Sequence, residues 1–257
     1  MLLTIDVGNT QIALGMFDTH ELIGHWRVST VAEATIDEIR WEMTGILAAD
    51  GFTAADITGL SIASVVPAVT TKLRRIAPYV TTGEVVVVEP GVRTGMAIEI
   101  DNPREVGADR IVNAVAAREK YGVPVIVVDF GTSTNFDVVG PDGAYLGGAI
   151  APGLEIATNA LVSGTAALRR VEYTPPRSVI GKGTVEAIQS GALYGHAGLV
   201  DGIMERIASE FDTAVTRVAT GGLASTIVPH CASVDTVDAY LTLEGLRMIY
   251  ERNQDTE

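Results

Sequence analysis

Apolar positions along this chain switch repeatedly between a period of two and a period of three to four, which predicts an alternation of strands and helices. The opening TIDVGNTQIALGMFD sets apolar residues on both sides of a Gly-Asn-Thr turn, and Ile12, Leu14 and Met16 alternate as one strand face does. Strand, turn, strand is the expectation, with a third strand over 22–28. Ile36, Ile39, Met43, Ile46 and Leu47 then fall at helical spacing and predict an amphipathic helix over 35–50. The runs at 60–66 and 85–89 lack polar alternation, as parallel strands covered on both faces do, and a short helix over 68–77 joins them.

Helix signals are densest over 102–120. Asn102 stands at an N-cap, Pro103 at the first helical position and Glu105 at the capping-box position. Ala108, Ile111, Val112, Val115 and Ala116 form one apolar stripe, with Asp109, Arg110 and Asn113 off it. Gly107 leaves two readings open, a short turn followed by a longer helix or one continuous helix. Beyond it come a buried strand at 123–129, helices at 153–163 and 184–209, a strand and turn at 215–222, and a last helix over about 241–252.

The pattern also repeats. A shift of 123 residues lays Ile5-Asp6-Val7-Gly8-Asn9 on Val128-Asp129-Phe130-Gly131-Thr132, and Leu22-Ile23-Gly24 on Tyr145-Leu146-Gly147. Each copy reads strand, Asp-x-Gly turn, strand, turn, strand, helix, so a duplicated domain is the economical interpretation. The expected domains are 1–118 and 119–257, with the option that the C-terminal helix packs back on the first.

Composition narrows the class. With 257 residues, 47% hydrophobic and 19% charged, the chain can bury one large or two small cores. A formal charge of −14 argues against nucleic acid or an anionic membrane surface as partner, and no apolar run approaches the ~20 residues of a membrane helix. MLLTIDVG reads as a first strand rather than a signal, and one cysteine, Cys231, fits a reducing cytoplasm. His20, His25, His196 and His230 are not at zinc-ligand spacings.

An Asp ending a buried strand, followed by a glycine turn, presents a carboxylate beside free backbone N–H groups. Gly8 and Gly131 allow a phosphate close approach to the backbone, and Asn9, Thr10, Thr132, Ser133 and Thr134 add donors suited to phosphate oxygens. Two such turns facing each other across a cleft would grip a polyphosphate, with Asp6 and Asp129 recruiting cations. Either turn taken singly is equally a hairpin with an Asx-type turn. The Asp-Phe-Gly at 129–131 lacks the other elements of a eukaryotic protein kinase; a P-loop and a Rossmann fingerprint are also missing.

The duplicated turn resembles the acetate and sugar kinase, heat-shock ATPase and actin superfamily. IDVGNT at 5–10, DNPREVGADRIVNAVAA at 101–117, VVDFGTST at 127–134, GGAIAPGL at 147–154 and ATGG at 219–222 are similar, in order and spacing, to type III pantothenate kinases. The resemblance implies an α/β actin-like ATPase fold, two duplicated ribonuclease-H-like domains with a central cleft, in a cytoplasmic homodimer. It implies ATP-dependent phosphorylation of pantothenate, the first step of coenzyme A biosynthesis, with Mg2+ and with K+ or NH4+. By it, Asp6, Val7, Gly8, Asn9, Thr10, Gln11, Ile12 and Ala13 wrap the ATP phosphates and Thr132 touches the nucleotide. Asp6 holds magnesium through water, and Asp129 holds the monovalent cation. Gly107, Ala108, Asp109 and Arg110 bind pantothenate, Thr184 contacts it, and Asp109 is the general base.

Several readings stay open at this point. On spacing alone, Asp109–Arg110 is a solvated charge pair, and GKGT at 181–184 is equally a turn and N-cap. Gly191-x-x-x-Gly195 and Gly198-x-x-x-Gly202 suit close helix packing, either inside the second domain or between subunits. Ile100 stands where many relatives carry a tyrosine against the substrate, and Asn135 where threonine is common. The alternatives in function are a non-catalytic ATP-binding or regulatory relative, and a kinase or phosphatase acting on another small hydroxyl compound.

Overall fold

The structure is a computed structural model that describes residues 1–254. Its elements are β1 (Leu2–Val7), β2 (Gln11–Asp18), β3 (Glu21–Ser29), α1 (Ile36–Ala49), β4 (Gly59–Ser64), α2 (Pro67–Val80), β5 (Glu84–Val87) and α3 (Ala108–Tyr121). The second series is β6 (Val125–Phe130), β7 (Ser133–Val139), β8 (Tyr145–Pro152), α4 (Leu154–Ser163), α5 (Thr184–Ala208), β9 (Thr216–Thr220), α6 (Ala224–Ile227), β10 (Thr236–Val237) and α7 (Leu241–Gln254). These form two compact units. Among the described residues, one holds 1–96, 101–116 and 241–254; the other holds 97–100 and 117–240.

Each unit is built on one five-stranded sheet, ordered β3-β2-β1-β4-β5 in the first and β8-β7-β6-β9-β10 in the second. Position for position the two orders are the same. In both, the first three strands run antiparallel as consecutive hairpins and the last two join in parallel. A tight Asp-x-Gly turn permits the first hairpin, whereas the parallel strands need helical crossovers.

In the first unit, alternation along β1 sends Leu3, Ile5 and Val7 into a core with Ile39, Met43 and Leu47 of α1 and Val69, Leu73 and Ile76 of α2. Helix α1 starts as expected, one turn of capping box fixing its N-terminus: Glu38 N donates to Thr35 Oγ1 while Thr35 N donates to Glu38 Oε2. Helix α2 outruns its expected end, continuing through Pro78 to Val80. Burial of Ile76, Ala77 and Val80 outweighs the hydrogen bond that a proline forfeits.

The opposite sheet face carries α7. Leu243 packs with Leu2 and Phe17, and the Ser61 hydroxyl donates to Leu246 O at 2.9 Å. The helix comes so close to α3 that a Cβ on Gly245 would lie 2.3 Å from Val112 O.

In the second unit, Ile126, Val128 and Phe130 of β6 pack against Val200 and Met204 of α5 and Ala224 and Ile227 of α6. Cys231 joins this cluster, its Sγ 3.6 Å from Ile227 O; burial, with Asp201 nearby, pushes its thiol up to about 12. Of these elements α6 and β10, four and two residues long, are too short to leave a periodic signal. Among the described residues no helix is long and apolar enough to cross a membrane.

The α3–α7 contact is directly testable. Gly245→Ala must push against backbone rather than a movable side chain, so it destabilises the fold by about 1–3 kcal/mol in thermal or urea unfolding. An unchanged midpoint would mean that the two helices part without cost.

Candidate functional site

Strands β1 and β6 share one burial pattern: every residue is buried except the aspartate at the fifth position, which is half-buried. Asp6 has Ala13 and Ala63, two small side chains, as its cross-strand neighbours. The turn that follows closes with Gly8 N donating to Gln11 O at 2.9 Å. Thr30, just past β3, holds it from the side: its hydroxyl donates to Gly8 O at 2.7 Å and its N–H to Thr10 O at 2.9 Å. Asn9, Thr10 and Gln11 are exposed at the tip. Val7 and Ile12 point into the core, so their share in any phosphate contact is through backbone.

The 101–117 run passes the same end of this sheet at Gly107. A one-turn 3-10 helix spans Pro103–Glu105, capped by Asn102, whose Oδ1 accepts from Arg104 N. The chain then breaks at Val106–Gly107, and α3 begins at Ala108, so the turn-then-helix alternative is the one realised. Gly107 explains the break. A Cβ there would sit 2.5 Å from Asp109 Oδ1 and 3.5 Å from Val65 Cγ1. The Asp109 carboxylate folds back over the glycine and accepts from Arg110 N at 2.9 Å. Val65 in turn donates its N–H to Val7 O at 3.0 Å, which links the Gly-x-Asp-Arg block to the strand that carries Asp6.

Asp109 is half-buried, and burial pushes its carboxyl above the usual carboxylate range against the lowering pull of the Arg110 N–H and guanidinium. A carboxylate whose ionised form is disfavoured by burial takes up a proton more readily than a solvated one. Gly107, Ala108 and Arg110 are half-buried around it.

In the second unit, Asp129 lies between Asn135 and Thr220 on the neighbouring strands. Its turn closes with Gly131 N donating to Ser133 O at 3.0 Å, the counterpart of the Gly8 bond. Two other glycines make the space. Gly221 has φ +95, and a Cβ on it would lie 2.4 Å from Asp129 Oδ1; a Cβ on Gly153 would lie 2.3 Å from Thr132 O. Thr132 is half-buried and Thr184 exposed. The N-cap of α5 is Gly183 without a side-chain capping bond, and Thr184 is its first residue. With Lys182, Leu154, Leu161 and His196, Thr184 lines a cavity of about 730 Å³ between α4 and α5.

One sequence expectation changes here. Thr134 is not offered to a phosphate: it is buried, with Oγ1 2.9 Å from His196 Nε2. Asn135 accepts from the Ser133 hydroxyl through Oδ1 at 2.9 Å. Ile100 belongs to the second unit because residues 97–99 bridge to Tyr145, and its Cγ2 lies 3.4 Å from the place of a Gly147 Cβ. His196 itself escaped sequence reasoning, since its partner lies 62 residues away.

The architecture is similar along nearly its whole length to solved structures of very different sequence. A Campylobacter jejuni protein assigned to the Baf family of transcriptional activators aligns with a TM-score of 0.62 at 17% identity, covering 99% of this chain and 100% of that one. An inorganic polyphosphate/ATP-glucomannokinase of Arthrobacter sp. strain KM aligns with a TM-score of 0.52 at 14% identity, covering 98% of each. The fold is therefore that of the actin-like ATPases and sugar kinases, an α/β duplication of ribonuclease-H-like domains. Within that class, the type III pantothenate kinase sequence profile matches residues 2–206. A type III pantothenate kinase of Frankia alni (strain ACN14a) is 53% identical over 254 residues, covering 98% of this chain and 100% of the relative. The chain belongs to the type III pantothenate kinase family.

The burial of Asp109 has a thermodynamic signature. Its raised native carboxyl means that folding is penalised while the group is ionised and unpenalised once pH falls below its ordinary value of 3.8. Asp109→Asn, which keeps the acceptor for Arg110 N, is expected to raise Tm at neutral pH by on the order of 2 °C. Scanning calorimetry should show that gain shrinking as pH drops through the carboxylate range; a gain that persists unchanged in acid excludes a buried charge as its cause.

Proposed function

We propose that this chain transfers the γ-phosphoryl group of ATP to the primary hydroxyl of pantothenate, giving 4'-phosphopantothenate and ADP, the first step of coenzyme A biosynthesis. The observation that carries the reading is the Asp109 carboxylate, folded over Gly107 at the sheet end where the Asp6 turn also lies. An alcohol is too weak an acid to attack phosphorus unaided at neutral pH. As the hydroxyl oxygen bonds to the γ-phosphorus and the bond to ADP breaks, the hydroxyl proton passes to Asp109. A carboxyl held above its ordinary range accepts that proton better than a solvated one. Arg110, a fixed cation on the next residue, suits the pantothenate carboxylate.

In this reading the backbone of residues 6–13 and Thr132 hold the nucleotide, residues 107–110 and Thr184 hold pantothenate, and the enzyme works in the cytoplasm. Among the described residues there is no cluster of three or more His, Cys, Asp or Glu side chains fit to cage a metal. Single carboxylates suit the cations implied here. Asp6 would hold Mg2+ through water, with the ATP phosphates supplying the other ligands, and Asp129 would hold K+ or NH4+. The cations supply charge neutralisation that a chain of net charge −14 cannot.

The same reading includes a homodimer formed through the α4–α5 face. A Cβ on Gly191, Gly195 or Gly198 would meet nothing within 4 Å, so this glycine face is unpacked in the single chain. Ile150, Ile156, Leu161, Val179 and Ile180 are exposed in the same unit. Aspartates at Ile156 and Ile180 should then halve the mass seen by sedimentation; a native monomer sinks the dimer.

The catalytic reading is tested by ADP release with pantothenate, Mg-ATP and K+. Turnover should depend on pantothenate and fail with other small alcohols. Asp109→Asn should cut it at least ~100-fold with nucleotide affinity nearly intact. Turnover that survives the substitution removes Asp109 from the mechanism, and ADP release indifferent to pantothenate removes the substrate.

A further inference from the structure

His196 is used by nothing described so far, yet it occupies a singular place. It lies on α5, 6% exposed, with Nε2 2.9 Å from the Thr134 hydroxyl. Its ring also lies 6.3 Å from that of Phe130, centroid to centroid, at a tilt of 51°. Phe130 and Thr134 are register partners, the last residue of β6 opposite the second of β7. They form the base of the turn that carries Thr132, and Asp129 precedes Phe130 on the other sheet face. One imidazole therefore touches both legs of the turn.

The neighbourhood favours a fixed, neutral ring. Burial holds its pKa below the ordinary imidazole value, and a neutral imidazole presents one donor and one acceptor nitrogen, either of which pairs with a hydroxyl. Across the tip, Gly131 N donates to Ser133 O, and the Ser133 hydroxyl donates to Asn135 within the same strand. Thr134 is the one residue of the turn whose side chain is both buried and bonded to another element. The element is informative too. His196 and Thr184 line the same cavity, 12 residues or about 18 Å apart on one helix.

We propose that His196 is a positioning residue for the nucleotide and cation side of the reaction. By bonding Thr134 and flanking Phe130 it fixes the 130–134 turn, and with it Asp129 and Thr132. This rests on the roles given to Asp129 and Thr132 above. Helix α5 then has two duties, presenting Thr184 at its first turn and bracing the Asp129 turn from its middle.

The distinguishing experiment pairs Thr134→Val, which exchanges a hydroxyl for a methyl of the same shape, with His196→Leu and with His196→Gln, whose amide can reach the hydroxyl. Steady-state kinetics would give KM for ATP, KM for pantothenate and the K+ activation constant. Calorimetric titration of a non-hydrolysable Mg-ATP analogue would give nucleotide affinity without turnover. Thr134→Val and His196→Leu should each weaken nucleotide binding and K+ activation about tenfold, the double variant no more than either. The pantothenate KM should stay within twofold, and His196→Gln within threefold of the parent in every constant. Nucleotide affinity untouched by Thr134→Val overturns the proposal. So do losses shared equally by both substrates, or a glutamine variant as impaired as leucine, since each marks a merely structural contact. If His196→Leu does not fold, Thr134→Val and His196→Gln decide alone. Should the parent bind nucleotide but fail to phosphorylate pantothenate, the functional reading fails while the titrations still judge the brace.

Discussion

Both units depend on one difficult placement: a carboxylate at the fifth position of a strand whose other residues are all buried. A charge in such a position is costly unless the chain beyond it offers polar groups and space. Glycines supply the space. Gly8 and Gly131 close the turns, and Gly221 and Gly153 keep side chains away from Asp129 and from the Thr132 carbonyl. The hairpin order of the first three strands follows, because so tight a turn can only return the chain antiparallel beside the strand it left.

Asp109 shows the same economy with a different outcome. Gly107 leaves a vacancy the size of a side chain, and the neighbouring carboxylate occupies it. That position costs the group solvation, which makes it a stronger base and a poorer contributor to stability at neutral pH. Stability and proton affinity are thus opposed at one residue.

The duplication was legible because its signal is local and repeated: buried strand, Asp-x-Gly turn and alternating strand recur after 123 residues, and the two sheets have the same strand order. The capping residue Asn102 could be read for the same reason, its bond spanning two residues. What escaped depends on long-range pairing. Residues 97–100 join the second unit through bridges to Tyr145, which no window around them reveals. Thr134 reads as a phosphate donor until its hydroxyl is found on His196. Gly107 allowed two helix geometries, and only the position of Asp109 Oδ1 explains why the chain breaks there. The residue types of the site were visible; the partners that orient them were not.

Cys231, tucked under α5 and bonded toward Ile227 O, has a practical consequence. With its thiol pushed up to about 12 by burial, it is a poor source of the reactive thiolate at neutral pH. It is the chain's single cysteine. A cysteine introduced at an exposed turn such as Asn9 should therefore react with maleimides and iodoacetamides in preference to Cys231. Motions of the Asp-x-Gly turns can be followed spectroscopically without first deleting a native thiol.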